Sequence, residues 1–196
     1  MGKRIIAAFD FDGTLTCKDS LFQFVRFSCG YGALLWGLLL FSPLMLCTIF
    51  GFYPRDKAKE RFLSHFFKGM GYEDFQRLGV EFCHIINSFV NESMVKLMRQ
   101  HIAHGDTVYV ITASIEEWVR PWCEQQGVSC VLATRMEVKE GCLTGRFATP
   151  NCRGEEKVKR FLEKEPQRTD YYLYAYGDSR GDSQLLDFSN EPTKLA

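Results

Sequence analysis

Three apolar runs punctuate the chain, each too short for a helix and each followed at once by polar residues. Ile5-Ile6-Ala7-Ala8-Phe9 leads into Asp10-Phe11-Asp12-Gly13-Thr14-Leu15-Thr16. Thr107-Val108-Tyr109-Val110-Ile111 leads into Thr112-Ala113-Ser114, and Tyr171-Tyr172-Leu173-Tyr174-Ala175-Tyr176 into Gly177-Asp178-Ser179-Arg180-Gly181-Asp182-Ser183. Continuous rather than alternating apolar character predicts strands covered on both faces, the habit of a parallel sheet. A fourth apolar run covers Val128 to Leu132. Elsewhere apolar positions recur at helical spacing, over 59–67, 72–88, 92–101, 115–126 and 154–162. Met136 to Phe147 alternates about Glu140-Gly141, which predicts a short hairpin. Strands in turn with helices predict an α/β fold, a Rossmann-like doubly wound parallel sheet.

One stretch breaks this rhythm. From Phe27 through Pro54 there is no acidic or basic residue, and Ala33 to Phe50 is long and apolar enough to qualify as a membrane segment. A basic cluster of Arg55, Lys57, Lys59 and Arg61 follows directly. A single crossing is excluded if the acids before this stretch are to meet polar groups after residue 100. Ser42-Pro43 predicts a break into two halves of roughly 15 Å each, since proline disfavours helix at the residue before it. The expectation is an apolar hairpin over 31–53. It either dips into one leaflet, with the basic cluster on anionic head groups, or packs inside an accessory unit or a dimer interface.

The polar residues at the strand ends carry the chemistry. Asp10 and Asp12 stand one residue apart where ligands bind in open α/β sheets, on one side of the chain with Phe11 pointing away. Adjacent acids repel and lose solvation, so the pair implies a bound hard cation, magnesium. An ordinary turn is the bland alternative. A calcium loop fails, because the glycine is fourth (Gly13) and the twelfth position is Leu21. One edge of the sheet would gather Asp10, Asp12, Thr112, Asp178 and Asp182, with Lys157 reaching in from a helix. That inventory suits metal-assisted phosphoryl transfer: a carboxylate to attack, another to move protons, a third for the metal, and a hydroxyl and an ammonium for phosphate oxygens.

Composition narrows the field. Lys and Arg number 24, as do Asp and Glu, so nothing in the totals argues for nucleic acid as a partner. Eight cysteines show no C-x-x-C pair, and the four histidines no metal spacing. Lys3 and Arg4 lead straight into a strand, without a signal-peptide pattern. The expectation is a cytoplasmic protein with reduced thiols, peripheral or monotopic on the inner face of the membrane if the hairpin meets lipid.

The ordered motifs Asp10-Phe-Asp12-Gly-Thr-Leu-Thr, a strand ending in Thr112, a helix lysine, and Gly177-Asp178-Ser-Arg-Gly-Asp182 resemble the haloacid dehalogenase superfamily. By that resemblance Asp10 is the nucleophile that forms an aspartyl-phosphate, and Asp12 the proton donor and acceptor. Magnesium would sit on Asp10, the Asp12 carbonyl and Asp178, with Asp182 and Thr14 behind them. Thr112, Ala113 and Lys157 would bind phosphate oxygens, Arg153 being the alternative to Lys157. An aspartate at the second motif position favours phosphatases and phosphomutases over dehalogenases and transport ATPases. The residues between the first two motifs resemble the helical cap of the phosphoserine-phosphatase-like branch, which implies a core of 1–16 with 104–196 and a cap of 17–103. There Asp19, with Arg61, would face the substrate. Within the branch, the uncharged stretch and Cys152-Arg-Gly-Glu-Glu-Lys157-Val are most similar to the C-type phosphatidylglycerophosphatases. The resemblance implies a magnesium-dependent phosphatase of a lipid phosphate; phosphatase action on a small phosphomonoester such as phosphoserine is the alternative. A non-catalytic, membrane-associated binding protein would have lost a catalytic group, and all are present. The family often has a last strand, and the expectation is that the chain stops at Asn190 to Ala196 before it.

Overall fold

The five main strands all run parallel. In the computed structural model, which describes residues 3–128 and 130–195, β1 is Arg4–Phe9, β2 Thr107–Ile115, β3 Cys130–Thr134, β6 Tyr171–Gly177 and β7 Glu191–Lys194. Their order is β3-β2-β1-β6-β7. Successive residues of the central strands feed two cores: Ala7, Phe9, Val108 and Val110 point into one, and Ile6, Ala8, Tyr109 and Ile111 into the other. This two-sided burial is why the runs are apolar without alternation. The chain winds outward from β1 in one direction, then returns to its other side for β6. The switch point therefore falls between β1 and β6, with Asp10 after one strand and Asp178 after the other.

Five helices separate β1 from β2. They are α1 Ser20–Cys29, α2 Tyr31–Ile49, α3 Arg55–Phe67, α4 Tyr72–Ile86 and α5 Glu92–Ala103. Asp19 caps α1 by accepting from the Leu21 amide (2.9 Å). Packing ties α5 to β1 and β2, and α4 to α6 Glu116–Gln125. The hairpin appears as predicted, β4 Met136–Lys139 and β5 Cys142–Phe147, with Glu140 and Gly141 both at positive φ, as a tight two-residue turn requires. It braces α3, since the Phe147 amide donates to Glu60 (2.9 Å). The other face of the sheet carries α7 Glu155–Lys164 and α8 Ser183–Phe188. The Val128 to Leu132 run becomes β3, apart from Ser129, which lies outside the described residues.

Two expectations need correction. In place of the apolar hairpin over 31–53 there is one continuous helix, Tyr31–Ile49, with Pro43 inside it. Proline removes the amide that would bond the Leu39 carbonyl, but the Ser42 hydroxyl donates to that carbonyl at 2.8 Å, so the break is repaired locally. Nor is the helix swallowed by its neighbours. Leu34 and Gly37 are its only buried residues, and Leu35, Trp36, Leu39, Leu40, Leu46 and Ile49 are exposed. Gly37 permits the contact with α3, because a Cβ there would lie 2.4 Å from the Phe66 ring. The second correction is at the C-terminal end. Glu191–Lys194 does form a last strand, an edge strand of four exposed residues including Pro192, held by its backbone to β6. With no apolar side chain to bury, it leaves no pattern in the sequence.

Phe24 of α1 joins the inserted helices to the sheet layers. Its ring stacks on Trp118 of α6 (centroids 4.4 Å apart) and meets Phe67, Phe75 and Phe82 edge-on or tilted. Phe24→Ala should lower the unfolding free energy by about 3–5 kcal/mol, read from urea denaturation. A loss below about 1 kcal/mol would mean that this aromatic cluster does not hold the helices in place.

Candidate functional site

Asp10 follows β1 and continues its ladder, its amide bonding the Tyr176 carbonyl at 2.9 Å. Lys157 comes from the first turns of α7 and is 1% exposed. Its Nζ donates to Asp10 Oδ1 at 2.6 Å and to Asp182 Oδ1 at 2.5 Å. Asp182 is further occupied by the Ser179 amide (3.0 Å) and hydroxyl (2.8 Å). Asp178 is different: its Oδ1 is buried and has no partner among the described residues. Gly13, at φ 79°, makes room for it, since a Cβ there would meet Asp178 Oδ2 at 2.1 Å.

Carboxylate oxygens of Asp10, Asp178 and Asp182 all lie within 4.8 Å of one another. An orphaned oxygen among clustered hard donors fits a hard cation such as magnesium. Asp182, spent on Lys157 and Ser179, is suited to stand behind the ligands. Thr14 is fully buried, and its hydroxyl has no partner among the described residues.

Asp12 has another environment. Its carboxylate accepts from the Ser20 amide (2.8 Å) and hydroxyl (3.1 Å) and from the Ser114 hydroxyl. Trp118 Nε1 donates to the same Ser20 hydroxyl (3.1 Å), which fixes the arrangement. Phe11 points away, edge-on to Trp122. Burial, then the charge of Asp19, push the Asp12 carboxyl up to about 7. Burial raises Asp10 to about 6, with Lys157 opposing. Burial would lower Lys157, but Asp10 and Asp182 outweigh it and hold the ammonium protonated. Asp178 is raised by burial and then by Asp182.

These groups share a cleft of about 250 Å³, lined also by Thr112, Ala113, Asp19, Arg153 and Lys59. Asp10, Asp12, Asp19, Thr112, Ala113, Lys157, Asp178 and Asp182 are thus brought together. Arg61 is not. It lies over the Tyr53 ring at 5.2 Å, while Lys59, two residues earlier and so on the far side of the helix, enters the cleft. Lys59 Nζ donates to the Ala113 carbonyl (2.8 Å), and burial lowers its pKa despite Asp19, Asp12 and Asp10. Sequence reasoning missed Lys59, Ser20 and Ser114. Ser114 was visible as the last polar residue after the second apolar run; nothing in the spacing of the basic cluster marked Lys59. A second cavity of about 310 Å³ adjoins the cleft, with Asp19 and Lys59 in both linings.

The family model for haloacid dehalogenase-like hydrolases matches residues 7–187. The chain belongs to that family. It is therefore an enzyme of the hydrolase kind, and proteins named as phosphatases are among its relatives and structural neighbours. It is 30% identical over 190 residues to protein CicA of Caulobacter vibrioides, covering 95% of this chain and 84% of that one. A Bordetella pertussis protein of unknown function superimposes with a TM-score of 0.83 at 26% identity, over 97% of this chain and 89% of that one. A phosphoserine phosphatase solved with an analogue of its phospho-aspartyl intermediate shares the fold at a TM-score of 0.66 and 19% identity, over 100% and 87% of the two chains.

The environment of Asp12 has a measurable consequence. Its folded-state pKa of about 7 exceeds the ordinary value of 3.8, so between these values the folded protein binds the extra proton. That contribution to stability is present at the acid end and is lost as pH rises through about 7. In EDTA, the thermal midpoint of Asp12→Asn should fall less between pH 5 and pH 8 than that of the parent. Equal slopes would exclude Asp12 as the titrating group.

Proposed function

We propose that the chain is a magnesium-dependent phosphomonoesterase that works through an aspartyl-phosphate on Asp10, and that its substrate is a lipid phosphate of the phosphatidylglycerophosphate kind. The observation that carries the chemistry is the contrast between two carboxylates. Asp10 is held on the Lys157 ammonium beside Asp178, while Asp12 sits on hydroxyls with its pKa near neutrality. Carboxylates in such different surroundings suit different roles. An Asp10 oxygen attacks phosphorus, the ester P–O bond breaks, and Asp12 gives its proton to the departing oxygen. Asp12 then takes a proton from water, whose oxygen attacks the aspartyl-phosphate and releases inorganic phosphate with Asp10 restored. Lys157, Thr112 and the backbone at Ala113 bind the phosphate oxygens. Magnesium held by Asp10, the Asp12 carbonyl and Asp178, with Asp182 and Thr14 behind, would neutralise phosphoryl charge.

In this reading residues 1–16 and 104–196 are the catalytic core and 17–103 the cap. Support for a lipid substrate comes from α2. Its outer face is apolar over most of its length, and surfaces of this kind mark lipid or protein contacts. Arg55 and Lys57, just beyond it, suit anionic head groups. Both ends of α2 return to one folded body, so the helix would lie in the surface of the inner membrane leaflet rather than cross it. Phosphoserine is the competing substrate, favoured by Asp19 and Lys59, whose opposite charges could meet an ammonium and a carboxylate.

Asp10→Asn should reduce magnesium-dependent phosphate release by roughly 10³-fold or more while leaving the circular dichroism spectrum unchanged. A rate near that of the parent would rule out Asp10 as nucleophile. Micellar phosphatidylglycerophosphate should be turned over faster than phosphoserine at equal concentration, and the reverse order would assign the cleft to the soluble substrate. In sedimentation with anionic vesicles, the double variant Leu39→Ser, Leu46→Ser should stay in the supernatant while the parent pellets. Failure of the parent to pellet would leave the apolar face to a second copy of the chain.

A further inference from the structure

The cavity beside the cleft differs from it in chemistry. Its walls are apolar side chains from three helices: Leu21 and Phe22 of α1, Phe41 and Met45 of α2, and Ala58 and Phe62 of α3. The Thr48 hydroxyl on its lining offers no spare donor, for it is already given to the Met45 carbonyl at 2.7 Å. Charge is confined to Asp19, Lys59 and Arg55. Asp19 and Lys59 are also the residues that line the catalytic cleft, so they form the neck between the two spaces. Lys59 is tied across that neck to the Ala113 carbonyl, next to Thr112.

We infer that this chamber is a binding site for one alkyl chain of the substrate, with the phosphate in the cleft and the linking oxygens at the neck. The inference rests on the phosphomonoesterase reading of the cleft and extends it. A chamber walled by apolar side chains, whose charged groups are Asp19 and Lys59 at the neck and the exposed Arg55, selects an occupant that is flexible and apolar over most of its length. Adjacency supplies the rest: whatever fills the chamber and is also a substrate must carry its phosphate past Asp19 and Lys59. The two faces of α2 then have separate duties. Phe41, Leu44, Met45 and Thr48 line the chamber, and Leu39, Leu46 and Ile49 face outward. Chain recognition in the chamber is therefore separable from attachment to a membrane, and both can be measured apart.

The test uses the full chain with magnesium and a series of linear alkyl phosphates from ethyl to decyl, each below its micellar concentration. With no membrane present, kcat/KM should rise by roughly two- to fourfold per added methylene and level off once the chamber is full. Calorimetry with the matching alkylphosphonates, which carry no cleavable ester to phosphorus, should show the same dependence in Kd. Ala58→Trp fills the chamber from α3 and should reduce the decyl-to-ethyl ratio at least tenfold. Thr48→Phe fills it from α2 and serves if the first variant does not fold. A flat series in an enzyme that hydrolyses ethyl phosphate would overturn the chamber and leave the cleft intact. An unchanged ratio in the filled variants would also overturn it. Absence of turnover throughout, with phosphonates that bind independently of chain length, would overturn both readings. Chain-dependent phosphonate binding without turnover would support the chamber and remove the catalytic reading.

Discussion

Lys157 carries a positive charge into a place almost closed to water, and the site is built on how that charge is answered. Asp10 and Asp182 meet its ammonium at 2.6 and 2.5 Å, from the end of β1 and the start of α8. Removing one member of such a group would leave an uncompensated buried charge, at about 3–5 kcal/mol. The contact therefore locks three elements that are far apart in the chain, and it sets the surrounding electrostatics. Asp10 is kept from rising further, Asp182 is held low against its burial, and a buried Asp178 oxygen is left without a partner among the described residues. Asp12 is kept outside this group by Ser20 and Ser114, so that two neighbouring acids do not share one environment.

The inserted helices are joined to this centre by aromatic packing rather than by charge. Phe24 on Trp118 brings α1 against α6, and the same tryptophan fixes the serine that holds Asp12. The orientation of the Asp12 carboxylate thus depends on the packing of the insertion. On the outer side, α2 is apolar all round, yet it is anchored along one stripe only, where Gly37 lets it approach Phe66. A helix apolar all round is normally buried, so its open face calls for a further apolar phase or partner.

Much of this was legible in the residues. The apolar runs predicted β1, β2 and β6 because a strand buried on both faces cannot alternate, and the polar residues after them predicted which side chains would meet. Glu140-Gly141 announced the turn of the hairpin. What escaped had a physical cause in each case. β7 buries no side chain and is held by backbone bonds alone, so it leaves no periodicity. Pro43 predicts a break because its effect on the backbone is local, whereas its repair depends on the rotamer that the Ser42 hydroxyl adopts.

The sequence by itself determined the order of the motifs, the parallel sheet, the acids at its edge and the lysine that answers them, since each follows from periodicity or from the cost of burying like charges. Only the tertiary structure decided which cation of the Arg55–Arg61 cluster enters the cleft, because a helix sends Lys59 and Arg61 to opposite sides and the contacts of α3 choose between them. It also decided that α2 is a single helix with one face over a chamber and the other open. Composition there is uniform, and a uniformly apolar segment carries no record of which side will be covered.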